Sequence, residues 1–180
     1  MRALGKIVLA AAAVAALASC SSPAPAAAPT AAAPAAAPSA AVLPVCTADD
    51  IVVGGAPGTR PTITVPDTCA PPTQLLSKDL LVGPGAEVVP GSTLLTNYDL
   101  VTWSDKRELD ASWNRGEPFA LEDVGRAPVI DGWNEGVVGM REGGRRLLVI
   151  PPDKGYGAGG RGIAPNETLV FVLDAVTVTP

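Results

Sequence analysis

The chain has 180 residues, 47% of them hydrophobic but only 4% aromatic, with a formal net charge of −5. It contains no histidine, which excludes Ser-His-Asp and Cys-His nucleophile systems and any zinc site that needs imidazole. No run of Lys or Arg exceeds two residues, so the basic face that nucleic-acid binding requires is missing.

The N-terminus reads as an export signal, residues 1–19. Arg2 and Lys6 are followed by an unbroken apolar run of 11 residues, Ile7 to Leu17. That is too short for a bilayer span. The run ends in Leu17-Ala18-Ser19-Cys20, which resembles the lipobox of bacterial lipoproteins. Cys20 is then expected to be lipid-modified and to begin the mature chain, the alternative being an ordinary secretory signal with an incidental cysteine. Residues 20–45 follow as the lipidated Cys and a tether rich in Ala and Pro. From Ser21 to Val45 it carries six prolines and no charge, a composition that favours extended, polyproline-like conformations. The chain is expected on the extracytoplasmic side of a cell membrane, held there by its lipid anchor.

Folding capacity begins at Cys46, leaving 135 residues, enough for one compact domain. Cys46 and Cys69 are expected to form a disulfide, because an exported chain meets oxidising conditions and the spacing is not Cys-x-x-Cys. Within that loop, Ile51-Val52-Val53 and Thr62-Ile63-Thr64-Val65 flank Gly54-Gly55-Ala56-Pro57-Gly58 and predict a hairpin. Residues 46–77 are thus read as an N-terminal extension and 78–180 as the main domain.

In that domain Leu80-Leu81-Val82 and Glu87-Val88-Val89 bracket a second Gly-Pro-Gly turn. Thr93 to Trp103 reads as a long strand with Leu94, Thr96, Tyr98 and Leu100 on one face. Arg146 to Ile150 and Thr168 to Val178 are further strands. In the last, Leu169, Phe171, Leu173 and Ala175 alternate with Val170, Val172, Asp174 and Val176. One helix is predicted over Val129–Met140, from the spacing of Ile130, Trp133, Val137 and Met140 behind Pro128. Gly132, Gly136 and Gly139 weaken it by roughly 1 kcal/mol each, so it requires close packing around it. The fold class is therefore α+β, a twisted antiparallel β-sheet wrapped around one short α-helix.

All seven aromatics lie between Tyr98 and Phe171. Large apolar residues recur there beside single polar groups, with no nucleophile–base pair and no carboxylate cluster at ligand spacing. The Gly155–Gly162 run lacks the ending and the strand-to-helix context of a phosphate loop.

The ordered motifs resemble the FKBP-type peptidyl-prolyl cis/trans isomerases. They are Asn97-Tyr98, Leu109-Asp110-Ala111-Ser112 with Arg115 and Pro118-Phe119, and Val129-Ile130-Asp131-Gly132-Trp133. Gly144-Arg145-Arg146 leading to Ile150-Pro151-Pro152, Tyr156-Gly157, and Ile163 through Phe171 complete the set. The resemblance covers roughly Lys78 to Val178. It implies an FKBP-like fold and isomerisation of X-Pro bonds in exported polypeptides, without a cofactor or metal. Trp133 corresponds to the floor under the proline ring, and Leu109, Tyr98, Phe119, Val129, Ile130 and Phe171 to walls. The Ile130 N–H and the Tyr156 hydroxyl correspond to donors to substrate carbonyls. Asp110 corresponds to the pocket carboxylate near Arg115 and Tyr98, either acting on the substrate or fixing its own loop as an ion pair.

The resemblance also implies macrolides as ligands. Three departures stand out: Leu109 where the family usually has an aromatic residue, Asp99-Leu100 where Thr-Gly is common, and Arg161 in the loop after Tyr156. The alternative to an enzyme is a non-catalytic module or chaperone that holds Pro-containing segments.

Overall fold

The computed structural model describes residues 42–180. The expected export signal, the lipidation site Cys20 and the tether up to residue 41 lie outside the described residues. Among the described residues, no helix is long and apolar enough to cross a membrane.

Among the described residues the eight strands, in chain order, are β1 (Val52–Gly54), β2 (Thr62–Thr64), β3 (Leu76–Leu81), β4 (Thr93–Thr102), β5 (Glu108–Ala111), β6 (Phe119–Leu121), β7 (Arg145–Ile150) and β8 (Leu169–Thr179). One helix, α1 (Asp131–Gly136), lies between β6 and β7. β1 and β2 form the predicted hairpin, and the rest make a six-stranded sheet in the order β3-β7-β8-β4-β5, with β6 also paired to β4. Every strand pair is antiparallel. The α+β architecture expected from the sequence is the one observed.

The long strands follow from their patterning. In β8, Leu169, Phe171 and Leu173 join the core on the helix side, whereas Val170 and Val172 join a second cluster on the opposite face. The alternation breaks at Val176, because Leu95 pairs with Thr177 and Thr96 with Ala175, leaving Val176 as the extra residue of a β-bulge. Val178 thereby returns to the inner face with Ala175.

The predicted helix over 129–140 contracts to Asp131–Gly136. Val129 lies in a bend, its N–H bonded to the Ala127 carbonyl, Ile130 is in extended backbone before the helix, and Gly139, at φ 78°, takes the chain out of helical conformation. The glycines inside it have a packing reason. A Cβ on Gly132 would run into the Ile150 side chain, and one on Gly136 would lie 2.7 Å from Leu148 Cδ1. The helix therefore lies directly on β7.

The second Gly-Pro-Gly turn does not close a hairpin. The strand before it is β3, which pairs with β7 over Leu76–Leu81, while Glu87 makes only an isolated bridge to Arg141. A Cβ on Gly83 would collide with the backbone at Glu142 and Gly144, so this turn packs against a distant loop instead of its own flanks. β5 and β6, four and three residues long, are too short and too poor in β-branched residues to show in the sequence.

The outer face of the sheet is covered by the extension. Cys46, Ile51, Val65 and Cys69 pack against Val101, Trp103, Leu147, Val149, Val170 and Val172. Cys46 and Cys69 are joined by a disulfide, with Cα atoms 5.1 Å apart. Below the β1–β2 loop lies a buried ion pair, in which Arg145 donates to both carboxylate oxygens of Asp174 at 2.5 and 2.6 Å. The same guanidinium donates to the carbonyls of Gly55 and Thr59, and the Gly58 N–H donates to Asp174. The extension is thus tied to the sheet by satisfied polar groups as well as by apolar contact.

Candidate active site

On the inner face, three aromatic rings meet around Trp133. Its centroid lies 5.2 Å from that of Tyr98, 5.7 Å from Phe119 and 5.4 Å from Phe171, each at an interplanar angle of 79–87°. These edge-to-face arrangements favour the ring quadrupoles. Trp133 is placed by α1, Tyr98 by β4, Phe119 by β6 and Phe171 by β8. The concavity above them has a volume of about 340 Å³.

Tyr98, Asp110, Phe119, Val129, Ile130, Trp133, Tyr156 and Phe171 all line it. Leu109 does not. In β5, Val101 pairs with Glu108 and Leu100 with Asp110, which leaves Leu109 as an unpaired bulge residue. It is half-buried against the core instead of facing the cavity. Leu100, Pro128 and Arg161 complete the lining and were not among the residues expected there from the sequence. For Leu100 and Arg161 the signal was present, as departures from the family pattern. Leu100 shares the inner face of β4 with Tyr98. Arg161 sits on an exposed loop with φ 55°, a left-handed conformation uncommon for a side-chain-bearing residue.

The polar wall is a closed triangle. The Tyr98 hydroxyl donates to Asp110 Oδ2 at 2.5 Å, and Arg115 donates to Asp110 Oδ1 and to the Tyr98 oxygen, both at 2.7 Å. The Arg115 guanidinium also lies over the Tyr98 ring, 5.5 Å from its centroid. Burial, reinforced by the bond to Asp110, pushes the Tyr98 phenol up to about 12. Burial opposes ionisation of Asp110, but the bonds from Tyr98 and Arg115 outweigh it and hold the carboxyl below its usual range. At neutral pH the wall is therefore a neutral phenol, a carboxylate and a guanidinium.

Two donors are left unused. The backbone N–H of Ile130, just ahead of α1, has no acceptor among the described residues, nor does the Tyr156 hydroxyl have a partner there. The loop carrying Pro128 and Val129 is held by Asn134, whose carboxamide accepts from the N–H groups of Gly125 and Ala127 and donates to the Ala127 carbonyl. Ser112 pins β5 to β4, accepting from the Tyr98 N–H and donating to Asn97 Oδ1. Lys154 bonds Glu135 of α1 and so ties the segment before Tyr156 to the helix.

Among the described residues, the grouping of potential metal ligands is Cys46, Asp50 and Cys69, and its sulfurs are consumed in the disulfide. It lies in the extension and takes no part in the cavity.

This sheet, helix and pocket fit the FKBP-like reading of the sequence, and the comparisons with known proteins agree. The profile of the FKBP-type peptidyl-prolyl cis-trans isomerase family matches residues 85–176, just over half the chain. The chain is 48% identical over 111 residues to an FK506-binding protein of Streptomyces anulatus, covering 60% of this chain and 89% of that one. It is 40% identical over 119 residues to a probable FK506-binding protein of Corynebacterium glutamicum, covering 66% and 98%. The crystal structure of FkpA from Escherichia coli superimposes with a TM-score of 0.54 at 39% identity, over 60% of this chain and 49% of that one. AtFKBP13 gives the same TM-score at 31% identity, over 60% and 95%. The chain belongs to the FKBP-type peptidyl-prolyl cis/trans isomerases and is an enzyme of that class.

Proposed function

We propose that the cavity over Trp133 binds the proline ring of an X-Pro segment in an exported polypeptide, and that a lipid anchor at Cys20 holds the enzyme at the extracytoplasmic face of a cell membrane. The arrangement of three rings around Trp133 carries the first part. An X-Pro amide differs by only about 0.5–1 kcal/mol between isomers but faces a rotation barrier of about 18–20 kcal/mol. In the transition state the amide is twisted, its resonance is lost and its carbonyl is less polar. An apolar, ring-lined surface therefore accepts that state better than it accepts the planar amide, and each ~1.4 kcal/mol of preference is a tenfold gain in rate.

The polar residues orient the substrate around that event. The unused Ile130 N–H and Tyr156 hydroxyl donate to carbonyls on either side of the proline. Asp110, fixed by Tyr98 and Arg115, lines the wall facing the twisting amide. No proton transfer or covalent step is needed, which is why a chain without histidine suffices. Macrolides of the FK506 type are proposed to occupy the same cavity, a reading supported by relatives that are named for that ligand.

The test is a protease-coupled or NMR exchange assay on an X-Pro peptide. Wild type is expected to accelerate exchange, and a Trp133→Ala, Tyr156→Phe double variant to lose most of that acceleration. Equal rates would overturn the placement of the site. For the anchor, metabolic labelling with a fatty acid is expected to mark the wild-type chain and not Cys20→Ala. Label retained by the variant would overturn it.

A further inference from the structure

We propose that Arg60, in the disulfide-closed extension, is a positioning residue that staples the Leu109 bulge from behind the sheet and so aims Asp110 at Tyr98. The proposal rests on the pocket assignment above, and it assigns a role to a segment that lies outside the matched residues 85–176.

The geometry is specific. The β4–β5 ladder pairs Asp99 with Ala111 and Leu100 with Asp110, then skips Leu109 and resumes with Val101 and Glu108. A bulge of this kind re-aims the neighbouring side chain, here Asp110, and leaves the ladder locally weak. Arg60 bonds to both sides of the break. Its Nε donates to Asp99 Oδ2 at 3.2 Å and its Nη1 to Asn114 Oδ1 at 3.0 Å, on the far side of the bulge. Its Nη2 lies 2.5 Å from Glu108 Oε1, on the near side, and Asn114 Nδ2 donates to the same Glu108 oxygen. Asp99 is the outward residue between Tyr98 and Leu100, both of which line the cavity. One guanidinium therefore holds the strand of Tyr98 and the segment of Asp110 and Arg115 together.

Arg60 is itself held in place. The disulfide closes the loop that contains it, and its neighbour Thr59 is fixed through the carbonyl that accepts from Arg145. The Asp99 side chain is 4% exposed, and among the described residues its Oδ1 has no hydrogen-bond partner. Arg60 is then the group that compensates this buried carboxyl. Three separate acceptors require the planar fork of arginine, and the single ammonium of lysine does not span them.

Arg60 is 41% exposed, but removing it strands the buried Asp99 carboxyl, so Arg60→Gln is expected to lower stability and its rates are compared at matched folded fractions. The test uses the full chain with tyrosines labelled at ¹³Cζ, since the sequence holds only two, Tyr98 and Tyr156. In Arg60→Gln the Tyr98 signal is expected to shift while Tyr156 stays. The kcat for an X-Pro peptide is expected to fall about three- to tenfold with KM unchanged, and Arg60→Lys to recover only part of the loss. Arg141→Gln, which removes a comparable surface pair with Glu87, is expected to leave signal and rate unchanged. An unmoved Tyr98 signal, or a kcat equal to wild type, overturns the proposal. Should Arg60→Gln fail to fold, Glu108→Gln cuts the staple on one side and is read in the same way. Trp133→Ala separates the two readings. If it retains full activity, the pocket assignment fails. If it loses activity while Arg60→Gln does not, only the staple fails.

Discussion

Gly136 of α1 lies so close to Leu148 of β7 that a Cβ at position 136 would sit 2.7 Å from Leu148 Cδ1 and 2.9 Å from Cδ2. The helix that carries Trp133 owes its depth in the pocket to that approach. Gly136→Ala gains about 1 kcal/mol in helix propensity but forces the helix off the sheet, at a cost of about 1–3 kcal/mol. The expected result is net destabilisation in urea unfolding and lower kcat/KM, because Trp133 is displaced with the helix. Unchanged stability and rate would contradict the packing argument.

Trp133 is buried at the centre of the ring cluster. Trp133→Ala is expected to lose about 3–5 kcal/mol of stability by opening a cavity. Trp133→Phe, which retains a ring, is expected to stay folded and to lose less activity than the alanine variant. Isomerase assays at matched folded fractions distinguish loss of the floor from loss of the fold.

Asp110 and Tyr98 predict opposite pH edges. The Asp110 carboxyl is held below its usual range, so its contribution to stability is complete above its unfolded pKa of about 4. That contribution is lost as pH falls through the lower folded value. The Tyr98 phenol is raised to about 12, so its contribution is complete below its unfolded pKa of about 10 and is lost as pH rises toward 12. Asp110→Asn is expected to flatten the acid limb of a melting-temperature profile, and Tyr98→Phe the alkaline limb.

The buried Arg145–Asp174 pair has side chains only 3% and 9% exposed. Arg145→Met leaves the Asp174 carboxylate without its cation and two loop carbonyls without their donor, and is expected to cost about 3–5 kcal/mol. The double variant Arg145→Met, Asp174→Leu removes the stranded charge and is expected to recover much of that loss. A double-mutant cycle by chemical denaturation measures the difference.

The Cys46–Cys69 disulfide closes a loop of 23 residues by sequence separation, worth on the order of 3 kcal/mol in the chain-entropy model. Reduction is expected to lower the melting temperature by roughly 10 °C. The aromatic signature of the pocket should persist below the transition, because the rings belong to the inner face. Equal melting temperatures with and without reductant would count against this.

Much of the site was legible as sequence because its parts sit on strongly patterned elements. Tyr98 and Phe171 fall on the inner phase of two long alternating strands, and Trp133 follows Pro128 at helical spacing. Leu109 was misplaced for a local reason. The family resemblance makes it a wall residue, but a bulge in β5 takes it out of phase, and a single extra residue leaves no periodic trace. Leu100 was visible as an anomaly but not as a lining residue, since that depends on which face of β4 meets α1. The helix ended early because Gly139 adopts positive φ, and spacing alone does not report φ.

The absence of histidine, taken as sequence, already excluded the nucleophile systems and zinc sites that need imidazole, and the ordered motifs around the seven aromatics pointed by resemblance to isomerisation of an X-Pro bond. The long strands, the inner-face rings and the cysteine pair were determined in the same way, because period and composition are properties of the chain itself. Only the tertiary structure decided that the extension covers the outer face of the sheet. It alone brought Arg60 to Asp99 and Glu108, 39 and 48 residues further along the chain. Contacts between opposite faces and distant segments depend on how layers stack and where a strand bulges. Those are three-dimensional choices that no local pattern encodes.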